Sequence, residues 1–411
     1  LTLRSPDIHR RGAPRRGTEL NELGIIQDGA LLIRDGILIE VGPTRRVENL
    51  AAARNAVEIN AAGRIVLPGF VDSHTHLAFP PPGAEMDLAA AAKAICAGTG
   101  KRLAVRSLAY IEAMARHGAT TVEVKTGCGP DESAEMKILR VLGALKNDPL
   151  DVAATFLFRL PSPNLFGDAA IEEAANWMIS ELLPKIHRRR LAKFVDVAWN
   201  PDCARHACFS RFLEAARGLG FSCKIHADKA NAGAAIAMAI EYSALSIDHL
   251  EYASASEAAI LGRSEVMATL LPCASFHTGR GNAPARALID AGVPIVLASD
   301  FNASQTPTLN MQTVVALACL QMGLTPAEAI SAATINGAHA LGCAAMAGSL
   351  EPDKAADVVI LNLADYRDIS RHFGANLVHL TMKRGAVIYK EGQVTPPHPR
   401  DGLRNSQPVL N

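Results

Sequence analysis

The chain of 411 residues is long enough for one large α/β barrel with an accessory domain, or for two to three ordinary domains. Apolar residues at 49% and charged residues at 20% describe a soluble globular protein and argue against disorder on a large scale. Lys+Arg and Asp+Glu both number 41, so the charge balance offers no footprint for nucleic acid or an anionic membrane, and the expected partner is a small molecule.

Residues 1–16 are basic with no secretory apolar stretch behind them, and no apolar run approaches the length that spans a bilayer. The chain opens on Leu1 rather than Met, which leaves an upstream targeting segment open. The eight cysteines, at 96, 128, 203, 208, 223, 273, 319 and 343, include no Cys-x-x-Cys pair and read as reduced, mostly buried thiols of a cytoplasmic protein.

Short apolar runs broken by turns fill 24–65, and Asp35-Gly36 between 30–33 and 37–42 is a strong hairpin signal. The next run, 65–71, reads as one strand and leads into His74-Thr75-His76. Alternate side chains of a strand share a face, so both histidines can point inward from one strand end and approach one metal ion, whereas a helix would splay them. An isolated His-x-His is as often a plain polar pair, so the rest of the chain has to decide.

Beyond it, strand-like stretches at 120–125, 152–159, 194–199, 223–226, 246–249, 266–271 and 294–299 alternate with helical ones at 103–117, 133–145, 171–186, 209–218 and 325–341. Asp131 and Thr325 sit as caps at two helix starts. With 65–71 these make eight strands, which predicts a (β/α)8 TIM-type barrel over 67–350. A doubly wound open sheet is the alternative, but no Gly-x-Gly-x-x-Gly follows the first strand. Short strands return at 356–361 and 378–389, so 1–66 and 351–411 are expected to build one small β-sandwich domain. The tail after Gly392, rich in Pro and polar residues, reads as an extension.

Catalytic groups of a βα barrel stand at the C-terminal ends of its strands. Here strand one ends in His74 and His76, strand two in Glu123 and Lys125, strand five in His226 to Lys229, strand six in Asp248-His249 and strand eight in Asp300. A lone histidine at a strand end is usually structural. Five polar strand ends on one rim are a site.

The stretches PGFVDSHTHL at 68–77, TTVEVKTGCG at 120–129, KIHAD at 224–228, DHL at 248–250, ASDFN at 298–302, PTLNMQ at 307–312 and AATIN at 332–336 carry a family likeness. In this order the chain resembles the amidohydrolase superfamily, and within it imidazolonepropionase and its relatives, ring-opening hydrolases of histidine breakdown. The resemblance implies that His74, His76, His226 and Asp300 hold one divalent transition metal, zinc before iron, with His249 beside the bound water or the substrate. It also implies a homodimer. Strand four ends Val197-Ala198-Trp199-Asn200, without the lysine that binuclear members of the superfamily carboxylate there, so one metal is expected.

The chemistry implied is attack of a metal-activated water on a C–N bond of a small cyclic amide, imide or imidazolone-like ring. Asp300 would relay the proton to the leaving nitrogen and His249 would polarise the carbonyl. Deamination of a heterocycle is one alternative, and a small-molecule binding protein with a relict metal site is another. Against the deaminase stands Lys229, three residues after His226, where such enzymes carry a glutamate. Imidazolonepropionase-like proteins also have an arginine in the loop after His-x-His, a tyrosine where Cys128 stands and a histidine near the end of strand three. Here the loop reads Phe79-Pro80-Pro81-Pro82-Gly83 and strand three ends Phe158-Arg159-Leu160. Lys229 is read as a solvated rim cation or a contact to a substrate carboxylate, Cys128 as a small apolar lining residue, and His277 and Arg280 as residues of the pocket mouth. These changes predict that imidazolonepropionate itself is a poor substrate.

Overall fold

The structure, a computed structural model, describes residues 1–5, 12–79, 88–161, 166–201, 207–227 and 232–392. Its strands are β1 (Gly29–Arg34), β2 (Ile37–Pro43), β3 (Ile65–Pro68), β4 (Phe70–Asp72), β5 (Ala119–Lys125), β6 (Asp151–Phe158), β7 (Phe194–Ala198), β8 (Ser222–Ala227), β9 (Ser246–His249), β10 (Met267–Leu270), β11 (Ile295–Leu297), β12 (Val358–Leu361), β13 (Val378–Lys383) and β14 (Ala386–Lys390). The hairpin signal is met: Arg34 pairs with Ile37 across Asp35 and Gly36, which sit at φ 52° and 80°, the primed turn that suits the twist of a two-residue hairpin.

The run 65–71 is two strands rather than one. β3 pairs with β12 in a four-stranded antiparallel sheet, while β4 pairs with β5 in the barrel. The chain changes sheets at Gly69, whose N–H reaches the Asp357 carbonyl at 3.0 Å while the next N–H, of Phe70, reaches Gly118 at 2.9 Å. A Cβ on Gly69 would fall 2.2 Å from the side chain of Thr120, so only glycine fits this crossing.

β4 to β11 run parallel in sequence order as an eight-stranded sheet, the expected barrel. Outward residues such as Phe156, Phe158, Val195, Val197 and Ile225 pack under the helices, with Phe158 stacked 4.1 Å from Phe212 of the helix Cys208–Gly218. Asp131 and Thr325 do cap the helices that follow them. The stretch 325–341 is two helices, Pro326–Ala332 and Ile335–Ala340, broken at Thr334, and the run 171–186 carries a π-helical segment at Met178–Leu182. A Cβ on Gly337 would come within 2.9 Å of the Val71 carbonyl oxygen, so the second of these helices lies hard against the barrel.

β1 and β2 form one sheet from the N-terminal part, and β3 joins β12, β13 and β14 in another; Leu38, Val41, Val358, Ile360, Leu380 and Met382 form a buried core with Leu31 and Ile33 against it. The motif residue Gln312 ties this layer to the barrel: its side chain donates to the His117 carbonyl and accepts from the Leu377 N–H. Asn336 of the AATIN stretch likewise bonds Ile295 of β11. No helix among the described residues is long and apolar enough to cross a membrane.

Candidate active site

The ends of the eight-stranded order, β4 and β11, meet just past their own residues. Ser299 donates its N–H and its hydroxyl to the Asp72 carboxylate at 3.0 and 2.5 Å, Thr75 and Phe301 form an isolated parallel bridge, Asp300 N–H reaches the His74 carbonyl at 3.1 Å and His76 N–H the Phe301 carbonyl at 2.7 Å. The hydrogen bonds that close the barrel therefore run through His74, His76 and Asp300.

One nitrogen each of His74, His76 and His226 lies within 4.8 Å of the others, and His74, His249 and Asp300 form a second such group. Asp300 Oδ1 is 3.5 Å from His74 Nε2 and 3.8 Å from His76 Nε2, while its Oδ2 accepts from Thr306 at 3.3 Å. Burial, aided by neighbouring positive groups, holds His74, His76 and His226 well below the usual histidine range, so all three are neutral, the form that binds metals. The buried Nδ1 of His226 has no hydrogen-bond partner. Three imidazoles and a carboxylate make an N3O donor set suited to zinc or iron.

Under these ligands lies a buried ionic core. Lys125 Nζ donates to Asp196 at 2.5 Å and to Asp248 Oδ2 at 2.9 Å, Lys224 Nζ donates to Glu123 at 2.5 Å, and the Asp248 Oδ1 accepts from Ser246 at 2.8 Å. Burial alone would raise Asp248, but Lys125, His74 and Lys224 outweigh it and hold the carboxyl well below its ordinary range. Ionised Asp248 accepts the His74 Nδ1–H at 2.8 Å. That bond fixes the tautomer, leaving the lone pair of Nε2 toward His76 and Asp300. Glu123 and Lys125, read as rim residues of strand two, belong to this core.

β9 ends in two successive left-handed residues, His249 at φ 82° and Leu250 at φ 67°, and Asp300 stands at φ 53°. Non-glycine residues in this region are held by their surroundings and gather at active sites. His249 lies with its ring 4.4 Å from that of His226, and its Nδ1 is 3.2 Å from the buried carboxylate of Glu251.

The other expected residues fall in different places. Cys128 is buried, its N–H donates to Glu135 Oε1 at 2.5 Å, and burial followed by Glu135 and Asp131 pushes its thiol far up, so it is no thiolate. His277 and Arg280 are exposed at the end of the helix Pro272–Thr278, with His277 Nε2 2.8 Å from the Thr308 hydroxyl. Lys229 lies outside the described residues. Three residues were missed by sequence reasoning: Asp248 as the partner of His74, Glu251 as the partner of His249, and Arg159. Arg159, one residue past β6, is half-buried, makes no hydrogen bond or ion pair among the described residues, and its charge helps to lower His76 and His226.

Residues 65–388 match the model of the amidohydrolase family. The chain is 38% identical over 408 residues to the imidazolonepropionase of Geobacillus kaustophilus, with 93% of this chain and 95% of that protein covered. To the imidazolonepropionase of Solibacter usitatus it is 36% identical over 397 residues, with 92% and 94% covered. Among solved structures, a triazine hydrolase variant superposes with a TM-score of 0.72 at 17% identity over 89% of this chain and 91% of that one. An adenosine deaminase from Xanthomonas campestris with bound zinc gives 0.68 at 18% identity over 90% of each chain. At these identities the two structures are similar in fold alone.

Proposed function

Since this chain belongs to the amidohydrolase family and is a hydrolase of C–N bonds, we propose that it opens a small cyclic amide, imide or imidazolone-like ring at one divalent metal ion, zinc before iron, held by His74, His76, His226 and Asp300. The observation that supports this most is the donor set itself: three neutral buried imidazoles, with the Asp300 carboxylate 3.5 Å from one and 3.8 Å from another. Such an ion supplies an acidified water and a Lewis acid for the carbonyl of the ring.

The protein's part follows from the side chains. Asp300 takes the proton of the attacking water and delivers it to the nitrogen that leaves as the C–N bond breaks, so one carboxylate serves as base and then as acid. His249, steadied by Glu251, donates to the carbonyl oxygen as negative charge builds there. Asp248 keeps His74 in its ligating tautomer. Cys128, Lys229, His277 and Arg280 are the proposed substrate-facing positions, Cys128 as apolar lining. Against deamination, the alternative reaction, stands Lys229, at a place where that chemistry needs an acid.

The seven cysteines among the described residues are all free, in keeping with the cytoplasmic location proposed. A homodimer completes the proposal, together with a small-molecule substrate and no nucleic-acid partner.

A panel of five-membered cyclic amides and imides, assayed for ring opening with zinc-loaded protein, tests the proposal. At least one member is expected to be opened, with one carboxylate formed per C–N bond cleaved, and none opened would overturn it. For imidazolonepropionate the expectation is kcat/KM below about 10⁴ M⁻¹s⁻¹, the low end for enzymes on their own substrates. A higher value would show that Lys229 and the proline-rich loop leave the relatives' specificity intact.

A further inference from the structure

Arg159 is a residue beside the site whose chemistry the reaction leaves unused. It follows the last residue of β6, and its Cζ lies 3.8 Å from the point where a Cβ on Gly127 would stand. Gly127, at φ 133°, thus has no side chain where the guanidinium packs, and the turn that follows is pinned from below: Gly127 N–H and Cys128 N–H both reach Glu135 Oε1, at 3.2 and 2.5 Å. The arginine rests on a built surface beside the ligand histidines.

Its guanidinium is partly exposed and has no ion-pair partner among the described residues. Taking a guanidinium partly out of water is unfavourable unless it is paired, and arginines so placed normally hold a carboxylate or phosphate by two parallel hydrogen bonds. Glu135 lies within its field but spends one oxygen on two backbone donors and stands beyond ion-pair distance. Its charge acts on His76 and His226, which would hold a divalent cation. Two positive groups near one another at a strand-end rim suit an anionic ligand.

We propose that Arg159 is the specificity residue of this site, binding an anionic group, a carboxylate, on the side chain of the ring that the metal site opens. The inference rests on the ring-opening reading above. The sequence lacks the loop arginine of imidazolonepropionase-like proteins and their histidine near the end of this same third barrel strand, so Arg159 selects a differently placed carboxylate. Arg159 is also distinct from Lys229, three residues beyond His226 in the sequence.

The test uses the whole zinc-loaded chain and matched probes: hydantoin-5-acetate, hydantoin-5-propionate and the neutral amide of each. Calorimetry measures binding and a separate assay measures opening. Wild type is expected to bind at least one acid about 10- to 100-fold more tightly than its amide, the range of one charge-assisted hydrogen-bonded contact. Arg159→Met should erase that preference while leaving amide binding unchanged, and Arg159→Lys should restore part of it. For any probe that is opened, Arg159→Met should raise KM for the acid with kcat nearly unchanged, the mark of uniform binding. Equal binding of acid and amide by wild type, or an undiminished preference in Arg159→Met, would overturn the proposal. Binding of the acids without opening of any ring would instead support Arg159 and count against the reaction proposed for the site.

Discussion

Asp300→Asn is expected to lower kcat by about 10²- to 10⁴-fold, the span assigned to a positioned general base, while some metal remains bound. Asparagine matches aspartate in size and tolerates the left-handed backbone of this position, φ 53°, better than most residues. It also keeps an oxygen to accept from Thr306. The substitution therefore removes charge and basicity with little change of shape. The three histidines remain to hold the ion, so metal content should fall less than activity. Thermal unfolding within a few degrees of wild type, together with residual zinc and lost turnover, is the expected combination. A kcat within tenfold of wild type would show that the proton is moved elsewhere.

Lys125→Met should be the most destabilising single change at the site. The ammonium bridges Asp196 and Asp248 in a fully buried cluster, and its loss leaves Asp196, Asp248 and Glu123 facing only Lys224. Removing one partner from a buried ion pair costs about 3–5 kcal/mol, because the charge left behind is uncompensated. A second effect follows at the metal. Lys125 is a principal reason that Asp248 stays ionised, and Asp248 orients His74, so zinc affinity should fall by roughly 10- to 100-fold, the usual effect of losing a partner of a ligand. Asp248→Asn separates the two effects, since it weakens the hold on His74 while removing a negative charge from the cluster. Urea unfolding and zinc competition with a chelator read them independently. Wild-type stability in Lys125→Met would mean that the cluster adjusts its protonation without cost.

Most of the barrel was legible because burial on both faces makes each parallel strand an apolar run with turn residues at its ends, and β9 falls on the residues expected, 246–249. The nearness of His74, His76 and His226, and of Asp300 to His74 and His76, was legible for the same reason: each stands at a strand end, and strand ends share a rim. Other features have no local mark. Gly69 sits inside an unbroken apolar run, and only the approach of Thr120 from another strand shows why the chain changes sheets there. Thr334 breaks a stretch whose helical propensity is continuous. Lys125 reads as a rim residue until β7 and β9 bring Asp196 and Asp248 to it. Arg159 looks like any arginine at a strand end. Its lack of a partner is a property of three dimensions.

The proposed site holds one metal ion per chain, through His74, His76, His226 and Asp300, and needs it for ring opening. Elemental analysis of protein stripped with a chelator and reloaded with zinc tests this most directly, with His226→Ala alongside and turnover measured on the same samples. One equivalent of zinc is expected in the reloaded wild type, with turnover lost and regained with it, and neither tight zinc nor turnover in His226→Ala. Two equivalents per chain, or turnover that persists in the stripped protein, would contradict it.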